Sequence, residues 1–263
     1  MSVSASPCPT SVIVTRLRAA GCVFAEDEAE LLISTAATPA ELAVMVDRRI
    51  AGLPLEHVLG WAEFCGLRVF VDPGVFVPRR RTEFLAGQAV ALARPGAVVV
   101  DLCCGSGALG AAVAATVERV ELYAADIDPA AVRCARRNIA AVGRVYEGDL
   151  YEPLPASLRG RIDVLVANAP YVPTDEIQLL PPEARIHEPR VALDGGSDGL
   201  DVQRRVTAAA HDWLAPGGHL LIETSERQIP HTVDAFARGG LIPRVVESDE
   251  LYATVVIGTR PAG

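Results

Sequence analysis

From Pro95-Gly96 onward the chain alternates short apolar runs with longer segments of helical period, and that alternation leaves few folds open. Strand, helix and strand in regular succession make parallel pairs that need cover on both faces, so the sequence predicts an open α/β sheet. The predicted strands are residues 97–101, 120–125, 144–147, 162–167, 219–223, 242–246 and 252–257. Predicted helices occupy residues 108–116, 129–142, 201–213 and 228–238, the second opened by Asp128 as N-cap and Pro129 at its first position. The last two strands follow each other without a helix, which predicts an antiparallel hairpin at one edge. Residues 172–199, rich in Pro and Gly, are too long for an ordinary connection and predict a functional loop over a site.

Ahead of this region the patterning differs. Residues 11–50 have helical periodicity, with Pro39 opening a second run, and Gly52-Leu53-Pro54 breaks it. Alternation in Leu67-Arg68-Val69-Phe70-Val71, a turn at Asp72-Pro73-Gly74 and a return strand at Val75-Phe76-Val77 predict a β-hairpin linker. The expected organisation is a small helical unit over 1–53, a linker with its hairpin over 54–84, and the α/β unit over 85–263.

Composition excludes several classes. Half of the 263 residues are apolar, enough for a real core, and the net charge of −9 argues against duplex nucleic acid as the main partner. The cysteines (Cys8, Cys22, Cys65, Cys103, Cys104 and Cys134) lack the paired spacings of a zinc site or a secreted disulfide framework, so buried free thiols are expected. The five histidines show no ligand spacing either, and no metal is expected. Residues 1–10 carry no basic region or long apolar core, and no run approaches a membrane span. A cytoplasmic enzyme is the expectation.

Two loops carry the chemistry. The first predicted strand ends at Asp101 and continues Leu102-Cys103-Cys104-Gly105-Ser106-Gly107, where Gly105 and Gly107 let the backbone turn sharply toward a ligand. Gly105, Gly107 and Gly110 also fit the dinucleotide fingerprint, with Asp126 at a suitable distance to grip a ribose, so an NAD(P)-dependent oxidoreductase is a rival. Against it, Asp101 closes the strand and three residues precede the first Gly, a loop better suited to an amino-acid tail than to phosphates. Asp126 ends the second strand and can accept from both hydroxyls of a ribose diol, and Asp149 can accept from an adenine amine. The second loop is Asn168-Ala169-Pro170-Tyr171, at the carboxyl end of the strand 162–167, where open α/β sheets place ligands. An ordinary strand exit could carry the same letters. As a site, the Asn168 side chain and the Ala169 carbonyl could accept both hydrogens of an incoming NH2, with Tyr171 offering a flat face.

From about Pro54 to Gln228 these residues resemble the class I S-adenosylmethionine methyltransferases that modify the side-chain amide of glutamine in proteins, typified by the release-factor enzymes. Pro54-Leu55, Gly60, Phe64, Gly66-Leu67, Val77-Pro78-Arg79 and Thr82-Glu83 look like its linker signature. Asp101–Gly107 look like its cofactor loop, Asn168-Pro170-Tyr171 like its glutamine motif, and Leu214-Ala215-Pro216-Gly217-Gly218 with Glu223 and Gln228 like its fifth strand. The resemblance implies a Rossmann-like class I methyltransferase sheet preceded by a helical substrate-recognition domain. It also implies S-adenosyl-L-methionine held by Asp101, Gly105, Gly107, Asp126, Asp149 and Asn168, and a protein substrate whose exposed glutamine meets Asn168, Ala169, Pro170 and Tyr171.

Some positions depart from that pattern. Ala169 stands where the family usually has Pro, as in a related subgroup with a small residue there; Cys103 replaces a usual Gly, which a negative φ would tolerate; and Arg80-Arg81 replace a Pro and an acid. Arg79-Arg80-Arg81 could be a solvated turn or a substrate contact. The other readings are methylation of an exocyclic adenine amine and a cofactor-binding protein without turnover.

Overall fold

The computed structural model describes residues 9–262, and a seven-stranded sheet organises them. Helices α1 (Thr10–Ala19), α2 (Ala25–Thr35), α3 (Pro39–Ile50) and α4 (Leu55–Leu59) come first, then a two-stranded hairpin of β1 (Trp61–Phe64) and β2 (Leu67–Phe70). Helix α5 (Thr82–Leu92) leads into β3 (Val98–Leu102), α6 (Ala108–Thr116), β4 (Glu121–Asp126), α7 (Pro129–Ile139), β5 (Gly143–Glu147) and β6 (Ile162–Ala167). After a long loop containing α8 (Pro182–His187), the chain ends with α9 (Asp201–Trp213), β7 (Leu214–Thr224), α10 (Ile229–Arg238), β8 (Ile242–Ser248) and β9 (Ala253–Thr259).

The strand order is β5-β4-β3-β6-β7-β9-β8, parallel from β5 to β7, with β9 antiparallel to both its neighbours. The predicted edge hairpin is therefore present, and β9 is its inner strand. Alternating side chains feed two cores: Val99, Val164 and Leu221 pack against α5, α6 and α7, whereas Val98, Val100, Leu165 and Leu220 pack beneath α9 and α10, around Trp213 and Phe236. Because β3 leads to β4 on one side and pairs with β6 on the other, the sheet reverses direction between β3 and β6. Open α/β sheets take ligands in the crevice at such a switch point.

The register explains why distant residues meet there. Leu102 lies opposite Ala125 of β4 and Ala167 of β6, and Asp126 lies opposite Glu147. One residue further on, Cys103, Asp126 and Asn168 leave their strands at one level, and Asp149 follows two residues past Glu147.

The linker hairpin forms in a different register from the predicted one. Its turn is Cys65-Gly66, both at positive φ (50° and 73°), which matches the twist of a two-residue hairpin. Ala62 and Phe64 point inward in the first strand. Val75 and Val77, expected as a strand, form no ladder: Val75 lies in a bend and its N–H donates to the Asp72 carbonyl, and both are buried with Val71 against Cys134 of α7. His57 contacts the Val75 carbonyl through Nε2 at 2.8 Å. Helix α5 has no counterpart among the predicted elements, and it runs through residues 84 and 85 without a break.

Helices α1 to α4 share an apolar cluster of Ile13, Leu17, Leu32, Val46 and Val58. Arg49 of α3 donates to both oxygens of the buried Glu28 (2.6 and 3.0 Å), to the Leu53 carbonyl (2.9 Å) and to Glu183 of α8 (2.5 Å). That last bond ties the helical unit to the long loop. Among the described residues no helix is long and apolar enough to cross a membrane, and no cluster of His, Cys, Asp or Glu is arranged to hold a metal ion.

Candidate active site

A cleft of about 1010 Å³ opens at the switch point, lined by Asp101, Cys103, Gly105, Asp126, Asp149 and Asn168 through Tyr171. All the residues assigned to the cofactor or the acceptor from the sequence line this cleft except Gly107, which lies behind the loop. Gly107 has φ +78°, and a Cβ there would meet Ala135 of α7 at 3.2 Å, so its role is close helix packing.

Asp101 points to the α6 side of the sheet, where its Oδ2 accepts from the Gly110 N–H at 3.0 Å. It is 1% exposed, and burial pushes its carboxyl up to about 7, with Asp126 adding to the rise and the Gly110 bond opposing it. Asp126 accepts from the Gly105 N–H (2.8 Å) and the Asp128 N–H (2.9 Å), one on each oxygen, which holds the Gly105 turn in place. Burial raises its pKa as well. Both carboxylates line the cleft, and a cationic group beside them would counter the effect of their burial. Asp149 accepts from Arg205 of α9 at 2.6 Å, which fixes its carboxylate at the cleft wall.

Cys103 departs from its expected conformation. Its φ is +55°, in the left-handed region, so the side chain is carried at a position that suits Gly and is held there by the surrounding loop. The thiol lies near Asp101, Asp126 and Asp149, and burial together with those charges raises its pKa. The expectation of buried thiols holds for Cys22, Cys104 and Cys134; Cys65 is exposed at its hairpin turn, Cys103 is half-buried, and Cys8 lies outside the described residues.

On the other wall, Asn168 places Nδ2 3.4 Å from the Thr82 hydroxyl at the start of α5, which leaves Oδ1 for the cleft. Ala169 and Pro170 are buried. The carbonyl of Tyr171 accepts from Gln228 Nε2 at 3.0 Å, and Gly199 is packed so closely behind it that a Cβ would lie 2.3 Å from that oxygen. The Tyr171 hydroxyl meets Arg81 and Glu223, and burial raises its pKa, with the Glu223 charge adding to the effect. Arg79 pairs with the buried Glu188 at 2.6 Å, and Glu188 also accepts from the Val77 N–H at 3.1 Å. Of the three arginines, Arg79 and Arg81 are therefore built into the site. Thr82, Glu188 and Glu223 were not singled out as site residues by sequence reasoning; a carboxylate in a loop or at a strand end carries no local sign of its partner.

A family model described as the methyltransferase small domain matches residues 66–196. The release factor glutamine methyltransferase of Geobacter sulfurreducens is 38% identical over 228 residues, covering 84% of this chain and 79% of that protein. The 4-amino-L-phenylalanine/4-methylamino-L-phenylalanine methyltransferase of Streptomyces pristinaespiralis is 36% identical over 203 residues, covering 74% of this chain and 69% of that protein. A methyltransferase structure from Pyrococcus furiosus superposes with a TM-score of 0.57 at 18% identity, over 74% of this chain and 90% of that one, and shows the shared fold. With a sheet of this topology, a site at its switch point and relatives of this identity and coverage, the chain belongs to the release factor glutamine methyltransferase family.

Proposed function

We propose that this S-adenosylmethionine-dependent enzyme transfers a methyl group to the side-chain amide nitrogen of an exposed glutamine in a protein substrate, a peptide-chain release factor, in the cytoplasm. The observation that carries this reading is the juxtaposition of Asn168, Ala169 and Tyr171 at the end of β6 with the Asp101–Gly107 loop at the end of β3, across one crevice. When bound, the cofactor supplies a methyl group activated by a sulfonium and a neutral thioether as leaving group. Asp101 and the Gly105 turn suit its amino-acid tail, Asp126 its ribose diol and Asp149 its adenine amine. The raised pKa of both Asp101 and Asp126 fits a cationic occupant.

An amide nitrogen is a weak nucleophile because its lone pair is delocalised. Thr82 turns Asn168 so that Oδ1 faces the acceptor, and Oδ1 and the Ala169 carbonyl accept the two amide hydrogens. With Tyr171 packed on the amide plane, these bonds hold the lone pair toward the methyl. Once it carries the methyl, the amide nitrogen would release one proton to water. Catalysis is positioning and fixed electrostatics, with no strong base required. Residues 1–53 act as the substrate-recognition unit, residues 54–84 as the linker and residues 85–263 as the methyltransferase unit. Nucleic acid and metal play no part in this reading.

A second reading, methylation of the amine of a free aromatic amino acid, is favoured by the Streptomyces pristinaespiralis relative. Single-turnover assays with a labelled methyl donor test both. Asn168→Ala is expected to leave cofactor affinity within a few-fold and to lower the rate of protein methylation by about 10²-fold, the scale of one preorganised hydrogen-bonding group. Label in a free amino acid but in no polypeptide would select the second reading.

A further inference from the structure

Arg81, Tyr171 and Glu223 close a three-membered ring of hydrogen bonds at the acceptor end of the cleft. Arg81 Nε donates to Glu223 Oε1 at 3.0 Å, and its Nη2 donates to the Tyr171 hydroxyl. That hydroxyl in turn donates to the same Oε1 at 3.4 Å. The guanidinium carbon also lies over the Tyr171 ring, 5.6 Å from its centroid. Glu223 is 2% exposed, and its other oxygen, Oε2, has no hydrogen-bond partner among the described residues. Arg81 is its cation, and a buried carboxylate stripped of its cation is strongly unfavourable. Arg81 directly precedes Thr82, whose hydroxyl meets Asn168, so one short segment touches both acceptor-site side chains.

We infer that Arg81 is a positioning residue for methyl transfer: it neutralises Glu223 and, through that pair, fixes the hydroxyl and ring of Tyr171 against the acceptor amide. This rests on the glutamine reading above. Two functions are combined in one guanidinium. Pairing Glu223 needs only a cation, whereas holding the Tyr171 hydroxyl at the same time needs the fork of two nitrogens. The two can therefore be separated by substitution. The charged or titratable groups facing Glu223 are Arg81 and Tyr171, with Arg79 the next cation toward Tyr171; β9 sets the apolar Val255 opposite it, and α5 contributes Thr82.

The test is single-turnover methylation of the protein substrate, with cofactor affinity by calorimetry and folding by circular dichroism. Arg81→Ala is expected to lower the rate by about 10-fold or more, with cofactor affinity within about two-fold. Arg81→Lys, which keeps the charge without the fork, is expected to restore part of the rate but not all of it, and Glu223→Gln in the Arg81→Ala background, which removes the unpaired charge, to restore part of it likewise. Tyr171→Phe and Arg81→Ala together are expected to cost less than the sum of the two alone, as members of one network do. An Arg81→Ala rate within two-fold of wild type overturns the inference. So does a loss that follows thermal stability alone and is additive with Tyr171→Phe. If the wild-type protein methylates no polypeptide, the glutamine reading fails instead, a result distinct from either.

Discussion

Asp101 is the residue at which binding and stability pull against each other. Its carboxyl is almost wholly buried and its pKa lies at about 7, above the ordinary 3.8. A carboxyl raised on folding binds its proton more tightly in the folded state, so its contribution is fully present below about pH 4 and is lost as pH rises through 7. The protein without cofactor is expected to lose roughly 4 kcal/mol of stability from this group over that interval. In Asp101→Asn the loss should disappear, which urea unfolding at pH 5 and pH 8 checks; equal pH slopes in the two proteins would refute it. At this scale the sequence showed which residues meet but not their conformations. Cys103 was tolerable at negative φ, yet the loop after β3 needs the left-handed region there, and nothing local to Cys103-Cys104 announces it. Arg81 was equally opaque, because its partner Glu223 lies 142 residues away.

The long loop between β6 and α9 is pinned at both ends. Glu183 reaches Arg49, Glu188 reaches Arg79 and Val77, and Gly199 packs on the Tyr171 carbonyl. Arg49→Ala leaves Glu28 buried without its cation and frees Glu183, so it should cost about 3–5 kcal/mol in the unfolding of the helical unit, measured by urea denaturation. A change below 1 kcal/mol would show that this ion pair carries little. Gly199→Ala forces a Cβ within 2.3 Å of the Tyr171 oxygen at a φ of +77°, so the loop end and the acceptor turn must separate. Methylation should fall by about 10-fold or more while cofactor affinity holds, and calorimetry alongside the rate assay decides. Elements with strong periodicity were legible, including β6 and α9 to the residue. Helix α5 was not, because it is apolar nearly all round and so lacks a helical stripe. The hairpin slipped because Asp72-Pro73-Gly74 is the stronger turn signal, although Cys65-Gly66 matches the twist of a two-residue hairpin.

For the whole molecule, one topological fact does most to place the site: β3 and β6 are adjacent in the sheet but far apart in sequence, with β4 and β5 inserted on the far side. That reversal brings the Asp101 loop and Asn168 to one crevice; the β/α alternation of the sequence predicts an open sheet with ligands at strand ends but not its strand order. What the alternation could not convey is how the helical unit meets the loop, since Arg49–Glu183 is a contact between residues 134 apart with no periodic signature. The most direct measurement is peptide mapping by mass spectrometry of a release factor incubated with the enzyme and isotope-labelled S-adenosylmethionine. One labelled methyl group on a glutamine side-chain amide is the expected result; label confined to nucleic acid, or to a polypeptide residue other than glutamine, would contradict it.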